Sequence, residues 1–278
     1  MTLERPDLAD DERPEGRCPD AIVIGATKAG TTSLFHYLSD HPQVHMDPQK
    51  ELRFFSDPDR FALGADWYRR RFASAGSRVA MESSNSYTRD PVYPGVAERI
   101  ADVCPDVRRV YLVRDPIDRL VSHYRHRVAT GREWRSPDEA VTADPSYVAA
   151  SLYGHQLSLH LRHTSIDRVH VARSDELASS DDRARVALCD FLGIEHDPAR
   201  PWPRENTTSG RAAVPSAMRR LYGLTGSERV ARWGRAVAAR RRPVDAGAVD
   251  VRLSDRLRHE LDDRFAADRE LFDRLTRR

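Results

Sequence analysis

The sequence predicts an α/β fold, a single domain around a central, mainly parallel sheet flanked by helices. Short buried apolar runs rich in β-branched residues, amphipathic segments after them, and glycine or Asp-Pro punctuation at the junctions all point that way. Ala21-Ile22-Val23-Ile24 is continuous and apolar, as a strand covered on both faces requires. Leu34 and Leu38 then share one face of a helix over Thr32 to Leu38. Val79-Ala80-Met81 reads as a short strand and Val96 to Val103 as a helix. Arg109-Val110-Tyr111-Leu112-Val113 is a second buried strand, and Asp115 and Pro116 after it form a good N-cap and first helical residue. Val169 to Ala172 is a further strand, and Ala184 to Leu192 a helix stopped by Gly193. Leu253, Leu257, Leu261 and Phe265, then Phe272 and Leu275, make one long amphipathic helix that docks on the domain.

The chain has 278 residues, 40% of them apolar, enough for one large core. Residues 1–19 are acidic and proline-bearing and read as a disordered tail, leaving 20–278 as the domain. The formal net charge is only +2, so no global basic field points to nucleic acid or an anionic membrane. No apolar leader and no run of membrane-spanning length is present. Cys18, Cys104 and Cys189 are far apart and lack metal-ligand spacing, which predicts neither a disulfide nor a zinc site and suggests a reducing, cytoplasmic setting. Lys28 and Lys50 are the only lysines among 45 basic residues, so each suggests a site that needs a compact ammonium.

Gly25-Ala26-Thr27-Lys28-Ala29-Gly30-Thr31-Thr32-Ser33 joins a buried strand to a helix, where backbone N–H groups and the helix dipole favour an anion. The glycines have the spacing of an NTPase phosphate loop, but Thr31 stands where that loop has its lysine, and Lys28 lies inside the loop instead. This P-loop-like arrangement argues against an ordinary kinase. Arg114, leaving a buried strand at the edge where open α/β sheets bind ligands, marks a second anion site. Ser122 lies two helical turns on, near the same ligand. Two anion sites at neighbouring strand ends imply a ligand with phosphate at both ends.

These residues resemble the sulfotransferases that use 3′-phosphoadenosine 5′-phosphosulfate, particularly the heparan sulfate sulfotransferase-like and bacterial branches. The likeness rests on Gly25 to Leu34, Lys50-Glu51-Leu52-Arg53-Phe54-Phe55, Glu82-Ser83-Ser84-Asn85-Ser86-Tyr87, and Tyr111 to Pro116 through Ser122. The resemblance implies that Lys28 and the backbone of Ala29, Gly30, Thr31, Thr32 and Ser33 hold the 5′-phosphosulfate, and that Arg114 and Ser122 hold the 3′-phosphate. It also implies Glu82 as general base, Lys50 on the substrate side, and Arg211, with Arg204 and Asn206, in a loop over the nucleotide. The expected product is 3′,5′-adenosine bisphosphate, with no metal.

Ser83 and Asn85 stand where family members acting on acidic polysaccharides commonly carry Lys and Pro, which leaves the acceptor as a hydroxyl-bearing small molecule, natural product or carbohydrate. His36, His41, His45, His123 and His126 are second candidates for the base. Gly131 to Tyr153, with Trp134, Tyr147 and Tyr153, is the expected acceptor loop. The competing readings are a P-loop kinase using ATP and magnesium, and a non-catalytic nucleotide- or polyanion-binding module built on the arginine run from Arg229 to Arg242.

Overall fold

The computed structural model describes residues 16–203 and 251–277. Residues 1–15 of the expected tail, Arg204, Asn206, Arg211 and the arginine run from Arg229 to Arg242 lie outside the described residues. Five strands form one parallel sheet in the order β2-β3-β1-β4-β5: β1 (Ala21–Gly25), β2 (Val44–Met46), β3 (Val79–Ser83), β4 (Arg108–Val113) and β5 (Val169–Arg173). The helices between them are α1 (Thr31–Ser39), α2 (Pro58–Phe61), α3 (Ala65–Arg70), α4 (Val96–Val103), α5 (Pro116–Ala129), α6 (Pro137–Ala143), α7 (Ser146–Ala149) and α8 (Tyr153–Leu161); α9 (Ser174–Leu177) and α10 (Arg183–Leu192) follow β5, with α11 (Asp255–Thr276) closing the described chain.

The expected α/β architecture is present. β1 lies at the centre because every one of its residues is buried, as its unbroken apolar run demands. Ala21 pairs with Met81 on one side and Arg108 on the other, so β1, β3 and β4 run in step and end together at one edge of the sheet. Asp115 caps α5 by accepting the Asp118 backbone N–H at 2.9 Å, with Pro116 at the first helical position, as the sequence anticipates. β2 escapes sequence reading, since three residues with a half-buried centre carry too little periodicity.

The long amphipathic helix is α11, which buries Leu261 and Phe265 against Ile117, Leu120 and Tyr124 of α5 and Tyr147 and Val148 of α7. Its Asp268 carboxylate accepts the Gly154 and His155 backbone N–H groups, each at 2.8 Å, and so caps the start of α8.

Two expectations are overturned near the start of β1. Gly16 to Pro19 are held against the domain rather than ending a tail: the Arg17 N–H donates to the Arg69 carbonyl at 3.2 Å. Cys18 and Cys104 form a disulfide across 86 residues, while Cys189 is free and buried. The sequence hides this pairing because the two cysteines are close only through the sheet. Each lies just before one of two adjacent parallel strands, and the Arg108 N–H donates to the Asp20 carbonyl at 3.0 Å beside them. Disulfides belong to oxidising compartments, so the basis for a reducing setting is lost. Among the described residues, no helix is long and apolar enough to cross a membrane.

Gly154 is required by the close approach of α8 and α11. A Cβ there would lie 2.5 Å from the Asp268 carbonyl oxygen and 2.8 Å from the Phe272 nitrogen. Gly154→Ala should therefore cost roughly 1–3 kcal/mol in urea unfolding, the range for overpacking against backbone that must shift. An unchanged midpoint would show that α11 is not packed here.

Candidate active site

A cavity of about 770 Å³ opens at the edge where β1, β3 and β4 end. Its floor is the loop after β1 and the first turn of α1, supplied by Thr27, Lys28, Gly30, Thr31, Thr32 and Ser33. Gly30 at the N-cap adopts φ 86° and places no capping side chain over that turn. Helix amides and dipole are therefore presented to an anion. Lys28 itself takes the left-handed conformation, φ 68°, rare for a side chain of its size. Arg119, fully buried on α5, braces the loop by donating to the Thr27 carbonyl at 3.4 Å while also bonding Ser151 and the Tyr147 carbonyl.

The expected second anion site lines the same cavity. Arg114 at the end of β4 and Ser122 on α5 both face it, and Arg114 pairs only loosely with Asp118, at 3.4 Å on an exposed surface. Such a contact contributes little and yields readily to a phosphate. Lys50 lines the cavity as well. Lys28, Gly30, Thr31, Thr32, Ser33, Lys50, Arg114 and Ser122 are thus brought together. Ala29 is not: it is fully buried and its N–H closes the loop on the Ala26 carbonyl at 3.0 Å.

Glu82, the expected base, is not among the residues brought to the cavity. It stands at the end of β3 with 0% exposure and does not line the cavity. Its carboxylate is engaged by the hydroxyls of Tyr68 at 2.8 Å, Tyr87 at 3.0 Å and Ser84 at 3.0 Å. The carboxylate that faces the cavity is Glu51, 29% exposed, paired with Lys50 at 2.9 Å. Asn85 orients it, donating from its side-chain amide at 2.7 Å and its backbone N–H at 3.1 Å. The Thr27 hydroxyl donates to the Asn85 side-chain oxygen at 2.9 Å, which ties this carboxylate to the phosphate loop.

The rest of the wall is basic. Arg53, Arg89, Arg127 and Arg132 line it, with the guanidinium carbons of Arg53 and Arg89 5.8 Å and 5.3 Å from the centre of the Tyr93 ring. Among the candidate histidines, His123 and His126 reach the cavity, whereas His36, His41 and His45 do not. Burial and the neighbouring charges of Arg119, Arg89 and Arg127 hold His123 well below the usual imidazole range, which opposes its taking up a proton. Trp134, Tyr147 and Tyr153 are core side chains, and the aromatic ring lining the cavity is that of Tyr93. Of the expected acceptor loop, Arg132 alone contributes to the lining among the described residues. Sequence reasoning quoted Glu51, Arg53 and Asn85 within its motifs without giving them a role in the site, and passed over Arg89 and Tyr93.

Residues 65–198 match the family model described as the sulfotransferase family. A solved sulfotransferase from Alicyclobacillus acidocaldarius superposes with a TM-score of 0.64 at 26% identity, over 93% of this chain and 96% of that one. Over these residues and in its fold, the chain is similar to the sulfotransferases. Heparan sulfate glucosamine 3-O-sulfotransferase 5 of Mus musculus is 29% identical over 173 residues, 57% of this chain and 49% of that protein. The membrane-associated sulfotransferase kil1 of Dictyostelium discoideum is 32% identical over 122 residues, 43% of this chain and 25% of that protein. The chain thus spans about half the length of the first of these curated relatives and a quarter of the second.

Burial raises the Glu82 carboxyl from 4.5 to about 7, against the opposing pull of its three hydroxyl donors. A native pKa above the unfolded one means that the native state binds the extra proton between these values. The resulting stabilisation is fully present below the unfolded value and is lost as pH rises through about 7. Relative to Glu82→Gln, wild type should gain roughly 2 kcal/mol between about pH 8 and about pH 5 in urea unfolding. A flat difference would mean that Glu82 titrates normally.

Proposed function

We propose that this chain is a sulfotransferase that moves a sulfuryl group from 3′-phosphoadenosine 5′-phosphosulfate to a hydroxyl of a small-molecule, natural-product or carbohydrate acceptor by in-line displacement. The observation that carries this reading is one cavity that unites a Gly-rich strand-to-helix loop bearing Lys28, a second cationic site at Arg114 and Ser122, and a carboxylate paired with Lys50, Glu51. The donor has anions at both ends, and the two cationic sites fit them.

In this reading Lys28 and the first turn of α1 hold the phosphosulfate, and Arg114 and Ser122 hold the 3′-phosphate. Charge builds on the bridging phosphate oxygen as the sulfuryl group leaves, and an ammonium there stabilises the transition state more than the ground state. That role suits Lys28. The acceptor hydroxyl loses its proton as the new bond forms, and Glu51, exposed to the cavity and oriented by Asn85, takes it. Lys50 keeps Glu51 in place at 2.9 Å and balances its charge. Tyr93 and the arginines around it form the wall left for the acceptor.

Binding separates this function from a kinase. 3′,5′-Adenosine bisphosphate should raise the melting temperature more than ATP with magnesium, and Arg114→Ala should remove most of that advantage. A larger shift with ATP would favour phosphoryl transfer, and binding without turnover on any hydroxyl acceptor would favour a pure binding module. Glu51→Gln should lower kcat by about a hundredfold or more with little change in donor KM, because it keeps the side chain's volume but cannot accept the proton. Full activity of that variant would return the base role to another group.

A further inference from the structure

Glu82 has no part in the transfer step as read above, yet its buried carboxylate accepts three hydroxyls behind the cavity wall. Two of its three hydroxyl partners have a second duty. Ser84 Oγ accepts the Arg53 backbone N–H at 2.8 Å, and Tyr87 Oη accepts that of Phe55 at 3.4 Å. The third partner, Tyr68, stacks on Phe54 with ring centres 4.6 Å apart and planes at 18°. One buried carboxylate thus reaches Arg53, Phe54 and Phe55 through three different side chains. The turn they stabilise carries Glu51 and Arg53 in the left-handed region, at φ 63° and 57°. Such non-glycine conformations persist where the surroundings over-determine them.

We infer that Glu82 is a positioning residue for sulfuryl transfer, holding the Lys50–Phe55 turn in the conformation that aims Lys50 and Glu51 into the cavity. This rests on the reading of Glu51 as the base. A hydroxyl that accepts an N–H must send its own proton elsewhere, and an ionised carboxylate, which only accepts, receives it. The ionised Glu82 therefore fixes Ser84 and Tyr87 with their lone pairs toward the turn. Protonation puts a donor among donors, and one hydroxyl must rotate. The groups that set the balance are the phenols of Tyr68 and Tyr87, the Ser84 hydroxyl, and Asp47 after β2, which is itself paired with Arg71 at the end of α3. Asp47 favours the protonated form and the three hydroxyls favour the ionised one.

Two full-chain variants test this. Glu82→Gln replaces the acceptor-only group, and Tyr68→Phe removes one donor while keeping the ring on Phe54, so the second serves where the first fails to fold. Amide hydrogen exchange at Arg53 or Phe55 should quicken by about tenfold or more in Glu82→Gln while β4 amides hold their rates. With the phosphosulfate donor and 4-nitrophenol as probe acceptor, the acid limb of kcat should move to higher pH in Tyr68→Phe, with donor KM within about twofold. A limb set by Glu51 alone would stay in place. Unchanged exchange at both amides, or an unmoved limb in an active Tyr68→Phe enzyme, overturns the inference. A wild type that neither transfers sulfuryl to any acceptor nor binds 3′,5′-adenosine bisphosphate overturns the functional reading instead, and the exchange rates still decide whether Glu82 holds the turn.

Discussion

Parallel pairing of β1 with β3 on one side and β4 on the other is the constraint from which the site follows. Parallel strands in step must end at the same edge. The phosphate loop after β1, the Ser84–Tyr87 segment after β3 and Arg114 after β4 therefore arrive together, although the chain separates them widely. None of these segments builds the cavity alone. The fully buried β1, paired on both sides, is what brings the three together at one edge.

Charge is distributed around that edge with a clear division. Lys28, Lys50, Arg53, Arg89, Arg114, Arg127 and Arg132 line the cavity, against the single described carboxylate of Glu51. A net charge of +2 for the whole chain therefore conceals a strongly cationic interior surface. Glu82, close by in sequence to Asn85, is spared from that field by burial and is satisfied by neutral hydroxyls. The two glutamates differ in solvation, so one is suited to exchange protons with a ligand and the other to hold backbone.

The sheet's inner strands were legible because burial on both faces writes itself as a continuous apolar run. Their order was not, nor was β2, whose three residues give no pattern. That the loop after β1 and Arg114 would meet at one cavity was legible because both leave buried strands at the same edge of the sheet. The burial of Glu82, the expected base, escaped sequence reading for a physical reason. Glu82 has the right address at a strand end, but the hydroxyls that cover it come from Tyr68, Ser84 and Tyr87, and no spacing rule announces that enclosure. Glu51 was overlooked because its exposure depends on a left-handed turn that its own sequence disfavours. The aromatic residues Trp134, Tyr147 and Tyr153 read equally well as ligand wall or core, and packing decided for core.

The Cys18–Cys104 bond joins the entrances of β1 and β4, whereas the chemistry lies beyond their exits. The cross-link and the cavity occupy opposite poles of the same two strands. Reduction would loosen the chain's attachment at one pole while the register of the strands continues to assemble the other. The covalent link and the cavity are in this way placed at opposite ends of one sheet.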